Sequence, residues 1–276
     1  MTSTVHWDLD LTSLSPIAHR EETAGTTVML RREKIFQPDG RVEQVPAISG
    51  NSLRGMLRRI GEELLRDVLD YEGKLSLPAA HALRNGGALG RTSKEGVTGG
   101  QLRYLCSLVP QIAVFGCAAG SRTIEGKLQV GKVRPVCQET AHILPRVVDG
   151  SGLGSMFDQL TLEPYTHFDD VGVAATDEES SHLMRFEIEA FATGVQFQSW
   201  VRVERATGVE LSFLREVLEV YRVRGRLGAR AGIGFGQVAV AMEEHHVSGP
   251  ADNDESWRDH LTANASDALE ALSLIG

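Results

Sequence analysis

The order in which two hydrophobic periodicities alternate along the chain limits the possible folds most. Between residues 5 and 11, apolar and polar side chains alternate, which is typical of a half-buried β-strand. Residues 53–68 instead place their apolar side chains at helical spacing, and Asn51 or Ser52 is the expected N-cap of this helix. Residues 127–136 again have the pattern of a strand.

The second half of the chain repeats this alternation. Residues 185–191 and 197–203 are two alternating segments joined by a short glycine-containing turn, which predicts a β-hairpin. An apolar helix face follows at residues 214–221, and then a strand at residues 235–242. The order strand, helix, strand, hairpin, helix, strand predicts an α+β protein with a ferredoxin-like βαββαβ core.

Three segments do not fit this core. Residues 74–115 are expected to be an insertion with two short helices, and residues 137–182 a protruding loop or hairpin. From residue 243 to the end, eight acidic residues stand against one basic residue. This acidic tail contains apolar residues at helical spacing, so it is expected to be either an amphipathic helix docked on the protein or a frayed terminus.

Composition excludes several other classes. The sequence has no apolar run of about 18 residues and no signal-peptide pattern at its start, so we expect a soluble cytosolic protein without membrane contact. Three cysteines without C-x-x-C spacing argue against disulfides and against a cysteine zinc site. The nine histidines form no H-E-x-x-H motif, and we expect neither a metal nor another cofactor.

The net charge of −9 is unevenly distributed, which leaves a nucleic-acid partner possible. Residues 46–61 contain three arginines and no acid, at the expected start of a helix. Arg54 would oppose the helix dipole there unless an anion binds too, because unpaired backbone N–H groups and a guanidinium then converge on it. The alternative is a solvated helix face whose arginines pair with Glu62 and Glu63. The candidate phosphate-binding residues of this segment are Ser49, Asn51, Ser52, Arg54, Arg58 and Arg59.

Two further basic segments accompany this one. Residues 222–238 are rich in glycine and arginine but match neither a P-loop nor G-x-G-x-x-G, and they are either a sugar-phosphate contact or a flexible hairpin tip. Residues 115–135 carry four basic residues and one acid, which suits a groove lining as well as an ordinary solvated strand. The candidate RNA-binding residues of the two segments are Arg122, Lys127, Lys132, Arg226, Arg230, Gly232 and Gly234.

The first loop holds a histidine beside carboxylates. His19 and Arg20 precede Glu21 and Glu22, and a histidine next to a carboxylate can act as a general base. The alternative is a loop in which His19 and Arg20 contact RNA, or contact nothing.

Three motifs in this order resemble the RAMP superfamily of CRISPR-associated proteins. They are A-I-S-G-N-S-L-R-G-M-L-R at residues 47–58, F-G at 115–116 and G-I-G-F-G at 232–236. In the first motif, the resemblance implies that Ser49, Asn51, Ser52 and Arg54 contact RNA. It also implies an RRM-like palm at residues 1–242, a helical insertion and a thumb at about 137–182.

Among RAMP proteins, the layout is similar to the backbone subunit that repeats along the CRISPR RNA of class 1 effector complexes, with type IV expected before types I and III. The resemblance implies four partners: a guide RNA, further copies of the chain in a helical filament, other effector subunits, and a target nucleic acid reached through the guide. Type III subunits cleave with an aspartate in the loop after the first strand, whereas residues 15–27 contain none. We therefore expect a non-catalytic RNA-binding scaffold.

Two other functions remain as alternatives. One is a RAMP endoribonuclease that uses His19 with Glu21 or Glu22. The other is a protein-interaction module without nucleic acid, which the net charge of −9 and the aromatic content of 6% would suit.

Overall fold

The strands of the protein form one large antiparallel sheet and several smaller ones, and the helices pack on the large sheet and on one another. A computed structural model describes residues 1–87, 99–119, 122–166, 185–250 and 255–275. The strands are β1 (Ser3–Ser13), β2 (Arg20–Ala24), β3 (Thr27–Leu30), β4 (Arg32–Phe36), β5 (Val42–Pro46), β6 (Cys117–Ala119), β7 (Arg122–Ile124), β8 (Leu128–Val130), β9 (Arg134–Pro135), β10 (Leu160–Thr166), β11 (Arg185–Phe191), β12 (Gln196–Ala206) and β13 (Val238–Ser248). The helices are α1 (Gly50–Leu69), α2 (Leu77–Asn85), α3 (Gly99–Leu108), α4 (Pro110–Phe115), α5 (Gly208–Arg224), α6 (Trp257–Ala263) and α7 (Ala265–Ser273).

The large sheet has the strand order β13–β1–β12–β8, and β9 pairs with β12 beyond β8. All these pairings are antiparallel. Helix α1 follows β1 and helix α5 follows β12, so the chain order is that of a βαββαβ unit. Val5, Trp7, Leu9 and Leu11 of β1 are buried in the main core, as their alternation predicts. The α+β, ferredoxin-like prediction is confirmed.

The predicted hairpin of residues 185–203 is wrong, because its two strands lie in different sheets. Strand β12 pairs with β1 on one side and with β8 and β9 on the other, so neither edge is left for β11. Strand β11 instead lies between β10 and β3 in a four-stranded sheet of order β10–β11–β3–β2. Ser13 at the end of β1 binds the turn that connects β11 to β12. Its hydroxyl donates to the carbonyl of Ala192 at 2.7 Å, and its carbonyl accepts from the N–H of Gly194 at 2.8 Å.

The strand predicted at residues 127–136 is interrupted, and the start of α1 lies against the gap. Between β8 and β9, Val133 exchanges two 3.0 Å backbone hydrogen bonds with Ile48. A Cβ atom at Gly50 would lie 2.8 Å from the carbonyl oxygen of Val130, so the helix start and the strand are in close contact. The N-cap is Ser49 rather than Asn51 or Ser52, and its hydroxyl accepts from the N–H of Ser52 at 3.3 Å.

The insertion and the predicted thumb are described in part. Helices α2, α3 and α4 form the described part of the insertion, where the sequence predicted two helices, and residues 88–98 lie outside the description. The first part of the thumb segment packs on the β4–β5 hairpin, and residues 167–182 of the thumb are outside the described ranges. A small second core joins this first part to the hairpin through Ile35, Val45, Cys137 and Met156.

The last part of the chain divides into a strand and two helices. Strand β13 continues to Ser248, so residues 243–248, which the sequence assigned to the acidic tail, pair with β1. Trp257 at the start of α6 is 2% exposed, packs edge-on against Phe213 of α5 with ring centroids 5.2 Å apart, and donates its indole N–H to Glu216 at 2.7 Å. Helix α7 contacts α3 of the insertion. No helix in the described ranges is long and apolar enough to cross a membrane.

We expect Trp257→Ala to lower the free energy of unfolding by about 3–5 kcal/mol, because it leaves a cavity where α6 meets α5. Urea unfolding followed by far-UV circular dichroism measures this loss. The matched control is Val223→Ala on α5, whose side chain is 72% exposed and whose loss should change the unfolding free energy by less than about 0.5 kcal/mol. Equal effects of the two substitutions would contradict the docking of α6.

Candidate nucleic-acid interface

A groove of about 450 Å³ lies at the N-terminus of α1, and we call it the N-terminal groove. Free backbone N–H groups at a helix start attract anions. Two cationic side chains from other elements, Arg31 and Lys132, lie along the same groove. The full lining consists of Arg31, Ser49, Gly50, Asn51, Arg54, Val130 and Lys132.

His19 links the first loop to this groove. The backbone N–H of Ser49 donates to Nε2 of His19 at 3.2 Å, and the N–H of Arg31 donates to the His19 carbonyl at 3.0 Å. Because Nε2 accepts a hydrogen bond, the neutral imidazole carries its proton on Nδ1 and has no lone pair left for a substrate proton. In this arrangement the His19 ring is held against the start of α1.

The glycine-rich loop runs along the other side of the first loop. The N–H of Ala229 donates to the carbonyl of Ala18 at 2.8 Å. This bond joins the residue before Arg230 to the residue before His19. A Cβ atom at Gly228 would lie 2.4 Å from the same carbonyl, which explains the glycine there. Segments around residues 19, 31, 49, 132 and 230 are therefore neighbours in the fold.

The remaining predicted residues of this loop are Gly232 and Gly234, around a short turn in its middle, and Arg226 at its base. Gly232 and Gly234 are exposed, and Cβ atoms there would meet no protein atom within 4 Å. Arg226 is also exposed, and its backbone pairs with that of Gln237 in a single antiparallel β-bridge at the base of the loop.

Lys132 and Arg134 face the same way, as their strand spacing predicts, and both bind one carboxylate. Lys132 donates to Glu33, and Nε of Arg134 donates to Oε1 of Glu33 at 2.7 Å. Burial alone would raise the pKa of Glu33, but the hydrogen bonds and charges of Arg134 and Lys132 outweigh it and hold this pKa below its usual range. The cluster has two cations for one anion, so a positive charge remains beside the groove.

Arg54 and Arg58 hold the protein together as well as carrying charge. Both donate to the carbonyl oxygen of Phe115 at the end of α4, at 2.9 Å and 2.6 Å. Arg58 is 8% exposed and also donates to the carbonyl of Gly116 at 2.7 Å. Burial, reinforced by the Arg54 cation, lowers the pKa of Arg58 to about 10, so its guanidinium is still charged at neutral pH. Neither arginine pairs with Glu62 or Glu63, which bind Arg84, Arg66 and Arg224 instead.

Two predicted residues have structural roles, Lys127 through its charge and Ser52 through its backbone. Lys127 forms an ion pair with the buried carboxylate of Glu210, 2.6 Å from Oε2, below the start of α5. Lys127 is therefore left out of the RNA contacts proposed below. Ser52 lies in the first turn of α1, where its N–H completes the cap.

For two other candidates the structure gives the backbone alone. Arg20 lies in β2 and Arg122 in β7, and their side chains are outside the description. Arg59 is exposed on α1 and faces a second groove beside the insertion.

Sequence reasoning missed Arg31 and Glu33. Arg31 is an exposed arginine between two short strands, without a motif around it, and its position on the groove depends on the pairing of β3 and β4 with distant segments. Glu33 follows closely in sequence, but only the fold brings it to Lys132. The run R-R-E-K at 31–34 shows that charge is present and does not show which side chains face the groove.

The open face of the large sheet is occupied by side-chain contacts. Trp200 stacks on His6, with ring centroids 5.8 Å apart and planes 23° apart. Asp8 binds His6, His245 and Arg146 at 3.0–3.2 Å. Proteins that read RNA on an open sheet need a free aromatic face for the bases, whereas this tryptophan packs against its own chain.

We expect the Glu33 cluster to stabilise the protein in a pH-dependent way. The folded pKa of Glu33 is lowered from its usual 4.5, so its contribution is complete above that pH and is lost as the pH falls through the lower folded pKa. Urea midpoints of the wild-type chain and of Glu33→Gln should therefore differ at pH 6 and converge toward pH 3. A difference that stays constant over this range would contradict the cluster.

Comparisons with known proteins agree with this architecture. The family model described as the RAMP superfamily matches residues 11–239. A chain from a solved structure described as "Type IV-B CRISPR Complex" has 36% sequence identity and a TM-score of 0.62, and the match covers 86% of this chain and 90% of that one. No curated protein matches significantly. The resemblance read from the three motifs, including its type IV branch, is confirmed, and the chain belongs to the RAMP superfamily.

Proposed function

We propose that this chain is a non-catalytic subunit of a class 1 CRISPR effector complex, of type IV, that binds the guide RNA in the N-terminal groove. The observation that carries the proposal is the convergence of Arg31, Lys132 and the capped start of α1 on one groove. His19 and the glycine-rich loop lie next to it, because His19 accepts from the N–H of Ser49 and Ala229 donates to the carbonyl of Ala18. The residues of the groove come from three separate segments, around residues 31, 49–54 and 130–132. Membership of the RAMP superfamily and the similarity to a chain of a type IV-B CRISPR complex support the same conclusion.

The chemistry of the groove suits a sugar-phosphate backbone. Backbone N–H groups at a helix start bind phosphate oxygens without regard to base identity, as a scaffold for any guide sequence requires. Ser49 and Asn51 add polar side chains beside them. Arg31 has no ion-pair partner among the described residues, so its full charge is available to an anion.

The proposed role is that of a scaffold. His19, the candidate base of the endoribonuclease alternative, is engaged at Nε2 by the N–H of Ser49. The loop at residues 15–27 also contains no aspartate, the residue type with which the related type III subunits cleave RNA. We further propose that copies of the chain assemble along one guide beside other effector subunits and reach the target nucleic acid through it.

Reversing a groove charge should release the RNA without unfolding the protein. We expect Arg31→Glu and Lys132→Glu each to weaken binding of a fluorescent single-stranded RNA of mixed sequence by about tenfold or more, and to lower the log–log salt slope by about 0.7 per lost phosphate contact. Fluorescence anisotropy across a salt series measures both quantities. Arg54 and Arg58 are poorer choices because their guanidiniums also hold α4 in place.

Lys34→Glu is the matched control. Lys34 is exposed on β4, on the opposite face of the strand from Glu33, and the substitution changes the net charge equally. Equal losses in all three variants would indicate a general charge effect and contradict the groove. If the wild-type chain bound no RNA and co-purified with none when expressed from its own locus, the protein-interaction alternative would replace this proposal.

A further inference from the structure

A second groove of about 790 Å³ runs along the side of α1 beside the insertion, and we call it the α1–α2 groove. It is bounded by α1, by the end of α2 at Gly86, and by Phe115 and Gly116 at the end of α4. Asn51 and Arg54 line both this groove and the N-terminal groove, so the two grooves adjoin at these residues. From residue 51 to residue 59, helix α1 contributes a wall of about 12 Å.

The α1–α2 groove contains cations without matching anions. The guanidiniums of Arg54 and Arg58 bind backbone carbonyls, and within the described ranges neither has a carboxylate partner. Arg59 adds a third positive charge, also without a described partner, while Glu125 is the acid among the described lining residues. Buried charges in proteins are normally paired. The carbonyl dipoles at the end of α4 offset part of this charge, but they do not supply a full negative charge.

A glycine on the same wall has no explanation within the chain. Gly55 lies inside α1, where glycine destabilises a helix relative to alanine. A Cβ atom there would meet no protein atom within 4 Å, and the backbone does not have a positive φ. Gly55 lines the groove between Arg54 and Arg58. Missing volume at that point lets a ligand approach the helix backbone closely.

We propose that the α1–α2 groove binds phosphate groups of a polynucleotide strand, as a second contact beyond the N-terminal groove. The inference rests on the proposed RNA-binding function and extends it to a new part of the surface. Guanidiniums suit phosphate because they donate two parallel hydrogen bonds to it. The phosphates belong either to the next stretch of the guide itself or to a strand paired with the guide. The guide would bind the free chain, whereas a paired strand would bind only after the guide is in place.

The test uses Arg59→Glu and Gly55→Gln in the full-length chain. We expect either substitution to weaken strand binding severalfold, and Arg59→Glu to lower the log–log salt slope by about 0.7. Gly55→Gln should at the same time raise the thermal midpoint, because glutamine favours the helix. A merely structural role for Gly55 predicts the opposite, a lowered midpoint. Arg103→Glu, at an exposed arginine on α3 outside the groove, is the control with the same charge change.

Two binding measurements identify the source of the phosphate. The first is the affinity of the free chain for a fluorescent single-stranded RNA, and the second is the affinity of the RNA-loaded chain for the complementary RNA or DNA strand. A loss in the first assigns the groove to the guide, and a loss only in the second assigns it to the paired strand.

If both affinities stay at wild-type values, the inference is overturned. If Arg31→Glu weakens RNA binding while the variants of the α1–α2 groove do not, the proposed function stands and only the second phosphate contact is lost. A wild-type chain that binds no RNA would overturn both.

Discussion

One carbonyl oxygen, that of Phe115, joins the parts on which the candidate site depends. It accepts hydrogen bonds from Arg54 and Arg58, on successive turns of α1. The bonds are reciprocal, because Gln111 of α4 donates to the backbone carbonyl of Arg58 at 2.8 Å. Gly61 makes room for this contact, since a Cβ atom there would lie 2.3 Å from Oε1 of Gln111. The start of α1 is therefore fixed relative to the insertion, and with it the position of every group in both grooves.

The same arrangement gives the arginines of α1 different uses. Arg58 is buried and donates to the Phe115 carbonyl at the end of α4. Arg54 donates to the same carbonyl and lines both grooves, whereas Arg59 is exposed. A buried cation that binds only carbonyls keeps its charge and projects it into the neighbouring groove, where little water screens it. The residues that hold the fold together thus also determine the electrostatic field that a polyanion would meet.

Acidic residues direct the positive charge to particular places. Glu33 binds Lys132 and Arg134, Glu210 binds Lys127, and Glu62 binds Arg84. Each of these carboxylates offsets one positive charge that sequence composition alone would count toward the partner, and the Glu33 cluster still keeps one positive charge in excess. The net charge of −9 is therefore compatible with a cationic groove, because the field in a groove depends on its local charges. The acidic C-terminal helices pack against α5, α1 and α3, and none of their described residues lines either groove.

The sequence by itself determined the order of the core elements and the family, because hydrophobic periodicity and short motifs are local properties. It placed Ser49, Asn51, Arg54 and Lys132 in basic segments that the fold brings to one groove. Only the tertiary structure decided which strand edges pair, and there the hairpin prediction was wrong, since β1 and β8 had already taken both edges of β12. It also decided which charges are neutralised: Lys127 and Lys132 look alike in sequence, yet each meets a carboxylate more than 80 residues away. Such partners depend on long-range packing, and no local pattern records them.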